Sequence, residues 1–220
     1  MSEEKISYLQ SSELFRDLNA AEMAELDRVT AMTTCESRRI FYTPGETGEV
    51  LFVLKKGRVQ LYRLSPDGKK FVLASLDADA VFGEMALVGQ GMHNAFAEAL
   101  EPCTLCVMTR REVEWLITRF PQVGLRLLEI LGRRLTQVEA RLEGFAFKTI
   151  SARLAGLLLQ LQRANFVEGY THQDFAEMLG TYRETTTQTL NEFKAQGLIE
   201  LHRKRIEIRD AARLRALADA

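Results

Sequence analysis

The chain predicts an α+β architecture: an N-terminal antiparallel β-roll, a long central dimerisation helix, and a C-terminal winged helix-turn-helix. Three observations carry it. From Thr33 to Val107, short β-rich pieces alternate with turn markers at Pro44-Gly45, Lys56-Gly57 and Pro66-Asp67-Gly68. From Leu128 to Phe145, apolar residues recur at alternating three- and four-residue steps. From Thr171 to Ile208, two short helical segments flank Gly180 and lead into a hairpin.

Composition bounds the function. With 220 residues and 46% hydrophobic content, the chain has material for two small domains, each with its own core. The expected boundaries are 1–120 for the roll with its flanking helices, 121–147 for the central helix, and 148–220 for the C-terminal domain. No apolar run approaches a membrane span, and the acidic start MSEEKISYLQ is unlike a secretory signal, so a cytoplasmic protein without membrane contact is predicted. A formal net charge of -1 argues against blanket nucleic-acid affinity; any cationic surface must be local. Three cysteines fit a reducing compartment. Cys103 and Cys106 have CxxC spacing but lie in a strand-like run, so two half-buried structural thiols are expected, with no metal site.

Each element has a local reason. Ser11 to about Ala31 reads as two short helices, with SSELF resembling a capping box and Leu18, Met23, Leu26 and Val29 facing inward. After the β-rich segment, Arg111 to Phe120 forms a short helix and Pro121 starts a long one. Its seam of Leu128, Leu131, Leu135, Val138, Leu142 and Phe145 is narrow and sustained over about three heptads, which predicts a parallel homodimer. Beyond Lys148 comes another helix, then a short polar link, NFVEG.

The helix-turn-helix follows. Phe175, Ala176 and Leu179 give its first helix an inward face, and Gly180 permits the turn. In the second helix Thr186, Thr189, Leu190 and Phe193 fall on one side, with Arg183, Glu184, Thr187, Gln188 and Asn191 on the other. Arg, Glu and Gln carry the donors and acceptors that match guanine, cytosine and adenine edges in a major groove, so Arg183, Glu184 and Gln188 are the candidate base readers. The hairpin tip, with Arg203, Lys204 and Arg205, suits phosphate contact. No nucleophile–base pair, phosphate loop or metal motif points to an enzyme; His93, His172 and His202 are far apart in sequence.

In this order of parts, and in Gly45, Gly57, Gly68, Phe82-Gly83-Glu84, the Leu128 to Phe145 seam, and Thr171-His-Gln-Asp followed by Arg183-Glu184-Thr185, the chain resembles the cyclic-AMP receptor protein and fumarate/nitrate-reduction regulator superfamily of bacterial transcription factors. The resemblance covers nearly the whole chain. It implies a homodimer on a two-fold symmetric double-stranded DNA site, recruitment or blocking of RNA polymerase, and an effector in the roll that repositions the DNA domains. Arg183 and Glu184 match the family's readers of TGTGA-type half-sites, and Thr171, Gln173 and Thr185 match backbone contacts. The third reader is usually Arg; Gln188 stands there and predicts a half-site altered at one base.

The effector cassette departs further. Gly83 and Glu84 are kept, but the Arg-Ser or Arg-Thr that holds a cyclic phosphate is Asn94-Ala95, and Val138 stands where an adenine-contacting Thr is expected. Asn carries no charge and Ala no hydroxyl, so the charge-assisted bonds a phosphate needs are missing and Glu84 reads as a remnant. His93 is the roll's one histidine and a weak cation at neutral pH. No cysteine precedes Cys35 to build an iron–sulfur sensor. The expectation is therefore a regulator with no cofactor, independent of cyclic AMP and active without ligand; the alternative is gating by an unidentified small ligand in the roll.

Overall fold

Asn19 opens the first full helix through reciprocal capping. Its side chain accepts from the amides of Ala21 and Glu22 at 2.9 and 3.0 Å, while the Glu22 carboxylate accepts from Asn19 N at 2.8 Å. This helix, α1 (Ala20–Val29), buries Met23 and Leu26. The capping box expected at SSELF is replaced by turns over 12–17; Ser11 lies outside the described residues. The computed structural model describes residues 8–10, 12–46, 48, 50–84 and 94–219. Two units are distinguished: the chain up to Arg63 with Leu73–Arg134, and Leu64–Val72 with Leu135–Ala220.

Eight strands, all of whose residues but Leu64 and Lys70–Val72 belong to the first unit, form two antiparallel sheets. They are β1 (Ala31–Cys35), β2 (Ile40–Tyr42), β3 (Val50–Lys56), β4 (Val59–Leu64), β5 (Lys70–Leu76), β6 (Val81–Phe82), β7 (Phe96–Ala99) and β8 (Cys103–Thr109). One sheet runs β1-β8-β3-β6 and the other β2-β7-β4-β5. Alternation along each strand sends Leu54, Val59, Ala97, Ala99 and Leu105 between the sheets. The opposite face of the first sheet, with Leu51, Val53 and Met108, packs under Met23 and Leu26 of α1, Val113 and Leu116 of α2 (Arg110–Arg119), and Val123, Leu127 and Ile130 of α3 (Pro121–Phe147).

That sheet is therefore covered on both faces, which corrects the expectation for the cysteines. Cys103 points into the roll and Cys106 into the helical layer, and both are fully buried rather than half-buried. Burial, together with the cross-strand neighbour Cys35, pushes the Cys103 thiol up to about 11. Gly57, at φ 97°, leaves the space that Cys103 Sγ occupies; a Cβ there would lie 2.6 Å from the sulfur.

The central helix carries two apolar faces. Val123, Leu127 and Ile130 are buried, whereas Leu128, Leu135, Val138, Leu142 and Phe145 stand 42–65% exposed in the single chain. Leu131, expected in the same seam, is instead half-buried against the first unit's core.

The second unit contains the C-terminal half of α3, α4 (Ile150–Leu161), α5 (His172–Leu179), α6 (Arg183–Ala195), α7 (Ala211–Ala218) and three strands, β9 (Phe166–Glu168), β10 (Ile199–His202) and β11 (Arg205–Ile208), in a sheet of order β10-β11-β9. Its core joins Leu154 and Leu158 of α4, Phe175 of α5, Leu190 and Phe193 of α6, and Leu214 of α7. The segment expected as a polar link holds a strand, β9 (Phe166–Glu168), paired with β11 (Arg205–Ile208). Ala164 and Asn165, both at positive φ, fold the chain back into it.

Candidate nucleic-acid interface

The interface is built from α5, the turn, α6 and the β10–β11 hairpin. Thr171 starts α5 by another reciprocal cap, its hydroxyl accepting from Asp174 N at 3.2 Å while the Asp174 carboxylate accepts from Thr171 N at 2.6 Å. Gly180 ends α5 in the left-handed region at φ 65°, and Tyr182, in extended conformation, precedes α6. A Cβ on Gly180 would lie 3.2 Å from the ring of Phe71. Phe71 belongs to Leu64–Val72, the part of the β4–β5 hairpin that clusters with the second unit. From the same segment, Lys69 Nζ donates to Gly180 O at 3.4 Å and sits 4.0 Å over the Tyr182 ring, and Lys70 faces Glu177 at 3.8 Å. These contacts hold the turn that aims α6, and sequence reading missed them because more than 100 residues separate the partners.

The two faces of α6 are sorted as the spacing requires. Thr186, Thr189, Leu190 and Phe193 are buried, and the two threonine hydroxyls are satisfied by Tyr182 O and Thr185 O at 3.2 and 2.9 Å. Arg183, Glu184, Thr187, Gln188, Asn191, Glu192 and Ala195 line one open concave face. The structure thus brings all three candidate base readers together and adds Glu192, whose Oε1 accepts from Gln188 Nε2 at 3.0 Å. The four-residue interval was a signal for this pair. His172, at the start of α5, contacts the Thr187 hydroxyl through Nδ1 at 2.9 Å. Burial, then the Arg183 charge, holds His172 below its ordinary value and favours the neutral ring.

Among the expected backbone contacts, Thr171 is exposed but engaged in its cap, Gln173 donates to Glu177 at 3.0 Å, and Thr185 is half-buried. At the hairpin, His202 pairs across from Arg205, leaving Arg203 and Lys204 as the two-residue tip, with Lys204 at φ 56°. The tip therefore carries two cations, not three. Arg205 lies along the sheet, 3.2 Å from Glu168 and 3.6 Å over the Phe166 ring, because β9 supplies both partners.

In the roll, Gly83 adopts φ 88° and Glu84 is buried. Glu84 is not isolated: Arg134 Nη1 donates to its Oε1 at 2.7 Å, and Arg134 Nη2 donates to Val81 O. The carboxylate raises the nearby Tyr42 hydroxyl, although burial is the larger cause. Asn94 is exposed, and its carbonyl accepts from Arg63 Nε at 2.8 Å; Ala95 is buried. His93 lies outside the described residues, and Val138 belongs to the second unit. Arg134 and Arg63 were both missed in sequence, lying fifty and thirty-one positions from their partners. Among the described residues no group of three His, Cys, Asp or Glu could hold a metal ion, and no helix is long and apolar enough to cross a membrane.

An exposed polar face on the second helix of a helix-turn-helix, followed by a hairpin with a basic tip, defines a DNA-reading regulator. Residues 152–217 match the model of the Crp-like helix-turn-helix domain and residues 32–120 that of the cyclic nucleotide-binding domain. The cyclic AMP receptor protein of Thermus thermophilus is 32% identical over 185 residues, covering 83% of this chain and 85% of that protein. The global nitrogen regulator of a Nostoc species is 30% identical over 186 residues, covering 80% and 83%. The solved structure of a CooA mutant from Carboxydothermus hydrogenoformans superposes with a TM-score of 0.75 at 27% identity, covering 92% and 96%. The chain belongs to the Crp/Fnr family of transcription regulators.

Proposed function

We propose that the protein acts in the cytoplasm as a homodimer that reads a two-fold symmetric DNA site related to TGTGA half-sites and meets RNA polymerase there. The observation that carries this reading is the single open face formed by Arg183, Glu184 and Gln188. Arg183 can fork onto guanine O6 and N7, Glu184 can accept from a cytosine amino group, and Gln188 favours adenine. Arg203 and Lys204 at the hairpin tip, with Thr171, Gln173 and Thr185 of the helix-turn-helix, take the phosphates, while Arg205 is held along the sheet by Glu168. The apolar stripe Leu128, Leu135, Val138, Leu142 and Phe145 meets its own copy, because an exposed row of this kind on one helix is the surface a parallel coiled coil buries.

The regulator works without cyclic AMP and binds DNA without ligand. Asn94 and Ala95 offer a cyclic phosphate neither a cation nor a hydroxyl, and the Glu84 carboxylate is already engaged by Arg134. A second reading, gating by another small ligand in the roll, is favoured by Arg63, whose guanidinium reaches the Asn94 carbonyl from the neighbouring strand. Selection on random DNA with ligand-free purified protein tests both. Recovery of a symmetric site altered from TGTGA at one base pair is expected. Enrichment only after adding a cell extract or a cyclic nucleotide would overturn the ligand-free reading.

A further inference from the structure

We propose that Glu192 is a positioning residue for base recognition: it fixes the Gln188 amide so that the pair selects adenine and rejects guanine. The inference rests on the DNA-reading role of α6 and names the base that this role selects. Gln188 and Glu192 lie one turn apart on the exposed face of α6, with Nε2 and Oε1 at 3.0 Å. An ionised carboxylate only accepts, so the NH2 end of the amide must face Glu192 and its carbonyl oxygen must point away. One N–H is spent on this contact. The amide then presents one remaining N–H and one carbonyl oxygen.

That donor–acceptor pair has a defined complement. In the major groove adenine presents an acceptor, N7, beside a donor, the N6 amino group, whereas guanine presents two acceptors, N7 and O6. The fixed amide satisfies adenine at both atoms and guanine at one. The Glu192 carboxylate adds a second effect of the same sign, since an anion beside two acceptors is repelled and an anion beside an amino group is not. Without Glu192 the amide turns freely and can direct both N–H bonds at guanine, so discrimination falls. A residue that reads as part of a solvated helix face is thereby assigned to specificity.

The test is binding selection followed by competition measurements on full-length protein, using the wild type, Gln188→Ala, Glu192→Ala and Glu192→Gln. Gln188→Ala identifies the base pair that this side chain reads. The wild type should prefer adenine over guanine there on the order of tenfold or more. Glu192→Ala should reduce that ratio to about threefold or less at this base pair alone, while raising affinity for all sequences together because an anion near the phosphates is removed. Glu192→Gln, which still offers a carbonyl to Gln188, should restore most of the preference. A wild-type preference for guanine, or an adenine preference unchanged in Glu192→Ala, would overturn the proposal while leaving the DNA-reading role intact. If the wild type enriches no sequence, the role itself fails and the proposal with it.

Discussion

Replacing Leu135 by Glu tests the dimer directly. Leu135 is 60% exposed in the single chain and lies in the middle of the apolar stripe. Fully burying a leucine contributes about 1.5–3 kcal/mol, so covering the exposed three-fifths is worth roughly 1–2 kcal/mol per chain, or about 2–4 kcal/mol for the pair. At 1.4 kcal/mol per tenfold, loss of that contribution weakens dimerisation by roughly 30- to 700-fold. Two carboxylates brought face to face add to the penalty. Sedimentation velocity across a concentration series reads the effect, and a gel shift on the selected operator should show parallel loss because one half-site supplies too few contacts. Gln137→Glu, exposed on the opposite side of the helix, adds a carboxylate away from the stripe and should leave the dimer unchanged. A Leu135→Glu protein that dimerises as tightly as the wild type would refute the seam.

The remaining predictions address the reading face and the two units' internal supports. Arg183→Ala should cost about 1–3 kcal/mol on the specific site and relax discrimination at one base, whereas Lys204→Ala should weaken all sequences alike and lower the salt slope by about 1; equal losses on specific and random DNA would reverse these roles. Arg134→Ala strips the partner from a Glu84 side chain only 9% exposed and should lower stability by about 1–3 kcal/mol in thermal unfolding, with Glu84→Gln recovering part of the loss; an unchanged melt would remove Arg134 from the roll's support. Gly180→Ala forces a left-handed backbone at about 1–2 kcal/mol and presses a methyl against Phe71, so a urea midpoint within error of the wild type would contradict the turn geometry. His172 should titrate below 6.5 by NMR. Because folding favours its neutral ring, its contribution to stability is present above the unfolded value and is lost as pH falls through the folded one; Arg183→Ala should raise the midpoint toward 6.5.

Much of the reading face was legible because helical periodicity is local. Thr186, Thr189, Leu190 and Phe193 had to share a side of α6, which left Arg183, Glu184 and Gln188 outward whatever the rest of the chain did. Glu192 was equally local, four residues from Gln188, but its carboxylate looks like any solvated helix charge until the hydrogen bond is seen. Strand β9 was not legible. Three residues carry no periodicity, and they form a strand only because β11, nearly forty residues later, offers its free edge. Distance in sequence likewise hid Arg134 from Glu84, Arg63 from Asn94, and Lys69 from Gly180.

The sequence by itself determined the order of elements apart from β9, the split faces of α6 and the apolar stripe of α3, since each follows from spacing within a few turns. Only the tertiary structure decided which of those surfaces are already occupied. It turned Leu131 inward, covered both faces of the sheet so that Cys103 and Cys106 lie in separate cores, drew Arg205 away from the hairpin tip, and gave Glu84 a cation. Those outcomes depend on which distant groups meet, and burial and ion pairing are properties of that meeting rather than of any one segment.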